Sequence, residues 1–132
     1  MSENTNLKIA LDNASDLFNN NNLNECIEQL EEILNIYPSN LKALSLLLDI
    51  NIKLNRAEKA LKIIKKLIQL DPDSKEHHEK LVKVYQFLND NRAYESALID
   101  FHKKFPSITT ARLISNIHIE NDREEESDQV IQ

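Results

Sequence analysis

The sequence of 132 residues contains no glycine, no tryptophan, one cysteine and three prolines. The missing glycine is the most restrictive absence, because glycine alone takes left-handed backbone at no steric cost. Rossmann-type dinucleotide turns, phosphate-cradling loops and glycine-rich hairpins are thereby set aside. The chain that remains is all-helical with short loops. With Cys26 as the single cysteine, no intrachain disulfide can form, and nothing points to an oxidising compartment. No apolar run is long enough to span a membrane as a helix. Residues 1–6 carry neither a basic head nor an apolar stretch, so a secretory leader is not expected. The expected setting is the cytoplasm.

Apolar residues make up 41% of the chain, enough for a core, and charged residues make up 29% with a net charge of -6. The charge is unevenly placed. Residues 1–40 hold seven acids and one base, residues 41–70 seven bases and two acids, and residues 119–132 six acids and one base. A basic patch between acidic segments is weak evidence for nucleic acid, and an acidic peptide or the chain's own acidic tail suits it equally well.

The prolines, Pro38, Pro72 and Pro106, are equally spaced, and their interval is a period that reads as repeat architecture. Leu23, Cys26, Leu30, Ile33 and Pro38 align with Ala57, Ala60, Ile64, Leu67 and Pro72. A small residue is followed by apolar ones four and seven positions later, which is helical periodicity. The third copy fits two registers. On the strict period set by the prolines, Tyr94, Leu98 and Phe101 fall opposite Cys26, Leu30 and Ile33. Slipped by three, Tyr94, Ala97 and Phe101 fall opposite Leu23, Cys26 and Leu30. The slipped register restores a small residue at the close contact and is preferred.

Seven helices are expected, over residues 7–20, 24–35, 41–54, 56–69, 75–88, 93–104 and 109–119. Residues 1–6 are expected to be flexible and residues 120–132 an acidic, disordered tail. Each proline ends the helix before it. Asp73 or Ser74 can cap the fifth helix. Asparagines cluster at the turns, notably Asn21, Asn55 and Asn89, where they can take over glycine's left-handed role.

These patterns resemble the tetratricopeptide-repeat family over residues 7–119. The resemblance rests on Ala14, Leu17, Leu23, Cys26, Leu30, Ile33 and Pro38, then Leu47, Ala57, Ala60, Ile64, Leu67 and Pro72, then Leu81, Tyr85, Tyr94, Ala97, Phe101 and Pro106. The family's usual glycines are missing, and Asn51 stands where a large contact residue is expected. The resemblance implies a right-handed superhelical stack of three antiparallel helix hairpins, with the seventh helix as a C-terminal cap. It implies a concave groove lined by the first helix of each pair, holding a peptide or partner segment. In that register the groove residues are Lys8, Leu11, Ser15, Phe18 and Asn19 of the first helix, Lys42, Ser45, Asp49, Ile52 and Lys53 of the third, and Glu76, Glu79, Lys83, Gln86 and Phe87 of the fifth, with Asp49 able to pair with Lys53 one turn on. The mixture suits a peptide carrying charges of either sign.

The clamp by which some relatives grip chaperone C-terminal carboxylates is not matched. Its positions fall on Leu11, Ser15, Leu46, Glu76 and Lys80, of which only Lys80 has the right charge. The resemblance also puts the fourth helix on the convex side. Its basic patch of Arg56, Lys59, Lys62, Lys65 and Lys66 then faces outward, either as a solvated face or as a site for acidic protein, lipid headgroups or RNA. No interleaved aromatics support base stacking, so nucleic acid is not favoured.

Catalytic and metal patterns are poor, and no cofactor is expected. His77 and His78 are adjacent and diverge by about 100° on a helix, so surface histidines are expected rather than a metal pair. Cys26 reads as a core thiol, and Glu124 to Glu126 as a solvated run. The expected function is a protein-interaction module, as adaptor or small dedicated chaperone, and not an enzyme. The alternative is a self-associating assembly subunit, a homodimer for example, whose groove is filled by another copy.

Overall fold

The computed structural model describes the backbone of residues 3–131 and the side chains of residues 5–123. The described residues form seven helices: α1 (Glu3–Asn19), α2 (Leu23–Ile36), α3 (Leu41–Lys53), α4 (Ala57–Leu70), α5 (Lys75–Phe87), α6 (Asn91–Lys104) and α7 (Ile108–Ile131). They pair in chain order as three hairpins followed by α7. The contacts divide into two compact units, one running to His77 and the other beginning at His78.

The turn inside each hairpin is built identically. Asn21, Asn55 and Asn89 have φ of 62°, 59° and 56°, the left-handed region that favours glycine. Asparagine is one of the few other residues that enters it readily. Each asparagine closes a Schellman motif. The amides of Asn21, Asn55 and Asn89 donate to the carbonyls of Phe18, Ile52 and Gln86, each at 3.1 Å. The following amides, of Asn22, Arg56 and Asp90, donate to Leu17, Asn51 and Tyr85 at 2.8, 2.8 and 3.3 Å. Carbonyls that a helix end would leave bare are satisfied in this way.

The turns between hairpins use proline instead. Tyr37, Asp71 and Phe105 precede the prolines with φ of -124°, -141° and -132°. A residue before proline is pushed out of helical backbone by the pyrrolidine ring, so the helix stops there. The next helix is then capped by a side chain. Asn40 Oδ1 accepts the Ala43 amide at 2.9 Å, Ser74 Oγ accepts the His77 amide at 3.4 Å, and Ser107 Oγ accepts the Thr110 amide at 3.1 Å. Of the two candidates for α5, the cap is therefore Ser74.

In the first unit, α1 packs on α2, α2 on α3, α3 on α4, and α1 on α3. One core cluster joins Leu11 and Ala14 of α1, Cys26, Leu30 and Ile33 of α2, and Ala43 and Ile50 of α3. Ala60, Ile64 and Leu67 bury the matching stripe of α4. Each large aliphatic side chain so removed from water contributes about 1.5–3 kcal/mol. Cys26 fills the small contact position of α2. Its Sγ donates to the Ala14 carbonyl at 3.2 Å; burial raises its pKa, against a lowering effect of the Phe18 backbone.

In the second unit, α6 packs on α7, and Val84, Leu98, Phe101 and Thr110 are buried. The third hairpin keeps the strict period, against the slipped register expected. Asn89 sits as far after Asn55 as Asn55 does after Asn21, and Leu98 and Phe101 are buried where Leu30 and Ile33 are. Tyr94 avoids the crowding its size implied by remaining half-buried.

The first and last helices are longer than expected. α1 begins at Glu3 rather than Leu7, and α7 runs to Ile131 instead of ending near Ile119. Residues 120–131 contain no proline or glycine and many good helix formers, so nothing breaks the helix once α7 has nucleated. The side chains of Glu124 to Glu126 lie outside the described residues.

Candidate functional site

The expected groove residues fall into both units. In the first, Leu11 belongs to the core and not to a groove, at 8% exposure. The same face of α1 that carries Ala14 is covered by both α2 and α3, which leaves Leu11 little access to solvent. Phe18 and Ile52 are half-buried, Lys8, Lys42 and Lys53 are exposed, and Asp49 is half-buried. Lys53 Nζ lies 5.7 Å from the Phe18 ring centre and donates to Asn21 Oδ1 at 2.9 Å. It thus ties the end of α3 to the turn of the first hairpin. In the second unit, Lys83 is exposed, as is Phe87 with over half its surface accessible.

A largely apolar concavity lies within the second unit. It has a volume of about 310 Å³. α5 supplies Glu79, Val82, Lys83 and Gln86; α6 supplies Tyr94, Leu98 and Phe101; α7 supplies Thr109, Thr110 and Leu113. Of these, the groove register expected from the sequence includes Glu79, Lys83 and Gln86 of α5, but none of the residues that α6 and α7 supply. Reading α7 purely as a cap hid its contribution. The signal was present in Leu113, an apolar residue that the structure leaves exposed.

The wall made by α7 is held by a small polar network. Thr110 Oγ1 donates to the Ser107 carbonyl at 3.1 Å and lies 3.0 Å from Ser107 Oγ. It also meets Nδ1 of His102, in the last turn of α6. Farther along, His118 Nε2 is 3.5 Å from the Glu95 carboxylate. The Phe101 and Phe105 rings lie 5.4 Å apart, tilted by 42°, with the His78 ring 6.0 Å from Phe105.

His77 corrects another expectation. It is buried, and its Nδ1 has no hydrogen-bond partner. It stands one period after Ala43, which is fully buried, so the repeat carries it inward despite its polarity. Among the described residues no group of His, Cys, Asp and Glu is arranged to hold a metal ion. No described helix is long and apolar enough to cross a membrane.

Arg56 immediately precedes α4, and the four lysines of the expected basic patch lie on it. Arg56, Lys59, Lys62, Lys65 and Lys66 are all exposed, opposite the buried Ala60, Ile64 and Leu67. A second concavity of about 310 Å³ lies within the first unit, lined by Ile27 and Glu31 of α2, Leu47 and Asn51 of α3, and Arg56, Lys59, Lys62 and Ile63 beside and on α4.

The tetratricopeptide-repeat family matches residues 3–83 of the sequence. No curated protein matches it. Solved structures do resemble it in fold. MamA from Desulfovibrio magneticus RS-1 superposes with a TM-score of 0.73 at 12% identity, over 93% of this chain and 70% of that one. The first repeat domain of Spaghetti (RPAP3), bound to the HSP90 peptide SRMEEVD, gives 0.70 at 9% identity, over 88% and 93%. The Hsp90 co-chaperone Cns1 from Saccharomyces cerevisiae gives 0.75 at 12% identity, over 98% of this chain and 45% of that one. With the family match covering more than half of its length, and with left-handed asparagines and prolines recurring on one common period, this chain belongs to the tetratricopeptide-repeat family.

Proposed function

We propose that the chain is a protein-interaction module that seats a peptide segment between α5 and α7, as an adaptor or small dedicated chaperone. The observation that carries this reading is the apolar concavity of the second unit, floored by Val82, Leu98 and Phe101 and edged by Glu79, Lys83 and Leu113. An apolar floor with few charged groups at its rim suits a segment with one or two aliphatic anchors and charges of either sign beside them. The chaperone-tail ligand seen with the Spaghetti domain is not expected here. Leu11 is buried, and Leu46 and Glu76 offer no cation to a terminal carboxylate. Burying an unpaired carboxylate there would be costly.

The test is selection of peptides from a random displayed library on the immobilised full chain, followed by titration of the selected peptides. Leu113→Glu with Lys83→Glu changes exposed positions only, and circular dichroism verifies that the variant is folded. Loss of the selected peptides supports the groove; equal affinity for both proteins places binding elsewhere.

A second reading is self-association. Ile108, Leu113 and Ile119 of α7 are 74%, 40% and 49% exposed, an unusual amount of aliphatic surface for one helix. Light scattering across the micromolar range distinguishes the two. A dimer split by Leu113→Glu makes the occupant a second copy, whereas a monomer throughout leaves the groove for a foreign segment.

A further inference from the structure

We infer that the first unit carries a separate docking groove, between α2 and α4, for an extended acidic peptide with an aliphatic anchor. Asn51 is the residue that sets this site apart. The positions one period before and after it hold Leu17 and Tyr85, both large. Asn51 is smaller than either and is held back against its own helix, its Nδ2 donating to the Leu47 carbonyl at 2.8 Å. It is only 4% exposed, yet it lines the concavity of about 310 Å³ at this point. The second repeat therefore has a recess at a site where its neighbours in sequence place bulk.

The charge around that recess is also peculiar to this repeat. Arg56, Lys59 and Lys62 stand on its α4 side. The positions one period earlier are Asn22, Glu25 and Glu28, and those one period later are Asp90, Ala93 and Ser96. Three cations thus edge one recess and no other repeat's equivalent. The floor is aliphatic, with Ile27, Leu47 and Ile63.

Charge complementarity then selects the occupant. Carboxylates of the ligand face α4, and an aliphatic side chain enters the recess above Asn51. Glu31 stands on the α2 side and gives the groove polarity. It repels a ligand with anionic charge on both edges, such as a phosphate backbone, and it accepts peptide N–H groups. No aromatic side chain lines the recess for a base to stack on.

The test uses the full chain and a fluorescein-labelled pool of short Asp/Glu-rich peptides, each with a single leucine. Controls are the same pool with lysine in place of the acids, an oligouridylate, and vesicles containing phosphatidylserine. The acidic pool is expected to bind best and to weaken as salt is raised. Lys59→Glu with Lys62→Glu should weaken it about tenfold, and Glu31→Lys should tighten it about threefold. All three positions are exposed, and circular dichroism checks the fold. The proposal is overturned if the lysine pool, the oligouridylate or the vesicles bind as well as the acidic pool. It is equally overturned if the acidic pool does not bind, or if the substitutions leave its affinity unchanged. Leu113→Glu with Lys83→Glu should leave this binding intact, so the two grooves stand or fall separately.

Discussion

Replacing the left-handed asparagines one at a time tests how a repeat fold manages without glycine. Asn55 is the clearest position, with φ of 59° and a Schellman pair formed by its own amide and that of Arg56. A Cβ in this region costs about 1–2 kcal/mol, and asparagine offsets part of that through its short polar side chain. Asn55→Ala loses the offset and should destabilise by about 1 kcal/mol. Asn55→Gly removes the steric cost but adds about 0.5–1 kcal/mol of unfolded-chain entropy, leaving it within about 0.5 kcal/mol of the wild type. Asn55→Val adds a β-branch to left-handed backbone and should cost more than alanine. For a chain of this size, about 1 kcal/mol corresponds to a Tm change of about 3–5 °C. Thermal unfolding followed by circular dichroism should therefore rank glycine and asparagine together, then alanine, then valine. An alanine variant as stable as glycine would refute the reasoning, because the left-handed backbone would then carry no cost. The same order should hold at Asn21 and Asn89, which share the geometry.

Ile64→Ala empties a fully buried position in α4 and should cost about 2–5 kcal/mol in urea unfolding. Thr110→Val removes the hydroxyl shared by Ser107 and His102, and should cost about 1–3 kcal/mol, with hydrogen exchange rising first in the opening turn of α7. His77→Leu fills a buried position without the unpartnered Nδ1 and should raise the unfolding midpoint by an amount matching about 1 kcal/mol. Burial raises the Cys26 thiol above its ordinary value, so the folded chain keeps its proton where the unfolded chain loses it. Stability should therefore fall as pH rises through and beyond the unfolded thiol's range, and Cys26→Ala should flatten that alkaline decline in denaturation curves taken at stepped pH.

Much of this architecture is legible because it recurs. The spacing of Pro38, Pro72 and Pro106 sets the period, and Asn21, Asn55 and Asn89 mark the turns within it. Where local chemistry is allowed to override the period, the expectation fails. Tyr94 looks too large for a small contact, which makes a three-residue slip attractive; a modest loss of burial solves the same problem without breaking register. His77 looks like a surface residue by type, although the period places it on Ala43. Leu11 faces two helices at once, which a one-dimensional pattern of groove positions does not register. The acidic end invites judgement by its charge, although its backbone has no reason to leave the helix. The concavity of the second unit is hidden for another reason. Its walls come from three helices, and the depth between Val82, Phe101 and Leu113 depends on tertiary spacing that periodicity does not encode.

The uniform punctuation has a consequence for how such a chain can change in length. Every turn is closed by bonds between residues a few positions apart: asparagine within a hairpin, proline and a capping side chain between hairpins. A segment of one full period, such as residues 39–72, therefore carries its own start signal, its own internal bend and its own stop. Duplicating it in tandem would ask no distant residue to adjust. Deleting any other length of chain would put an asparagine or a proline out of phase with its helix. Changes of length in this chain are in effect quantised, with the permitted step written into the recurrence of one asparagine and one proline per repeat.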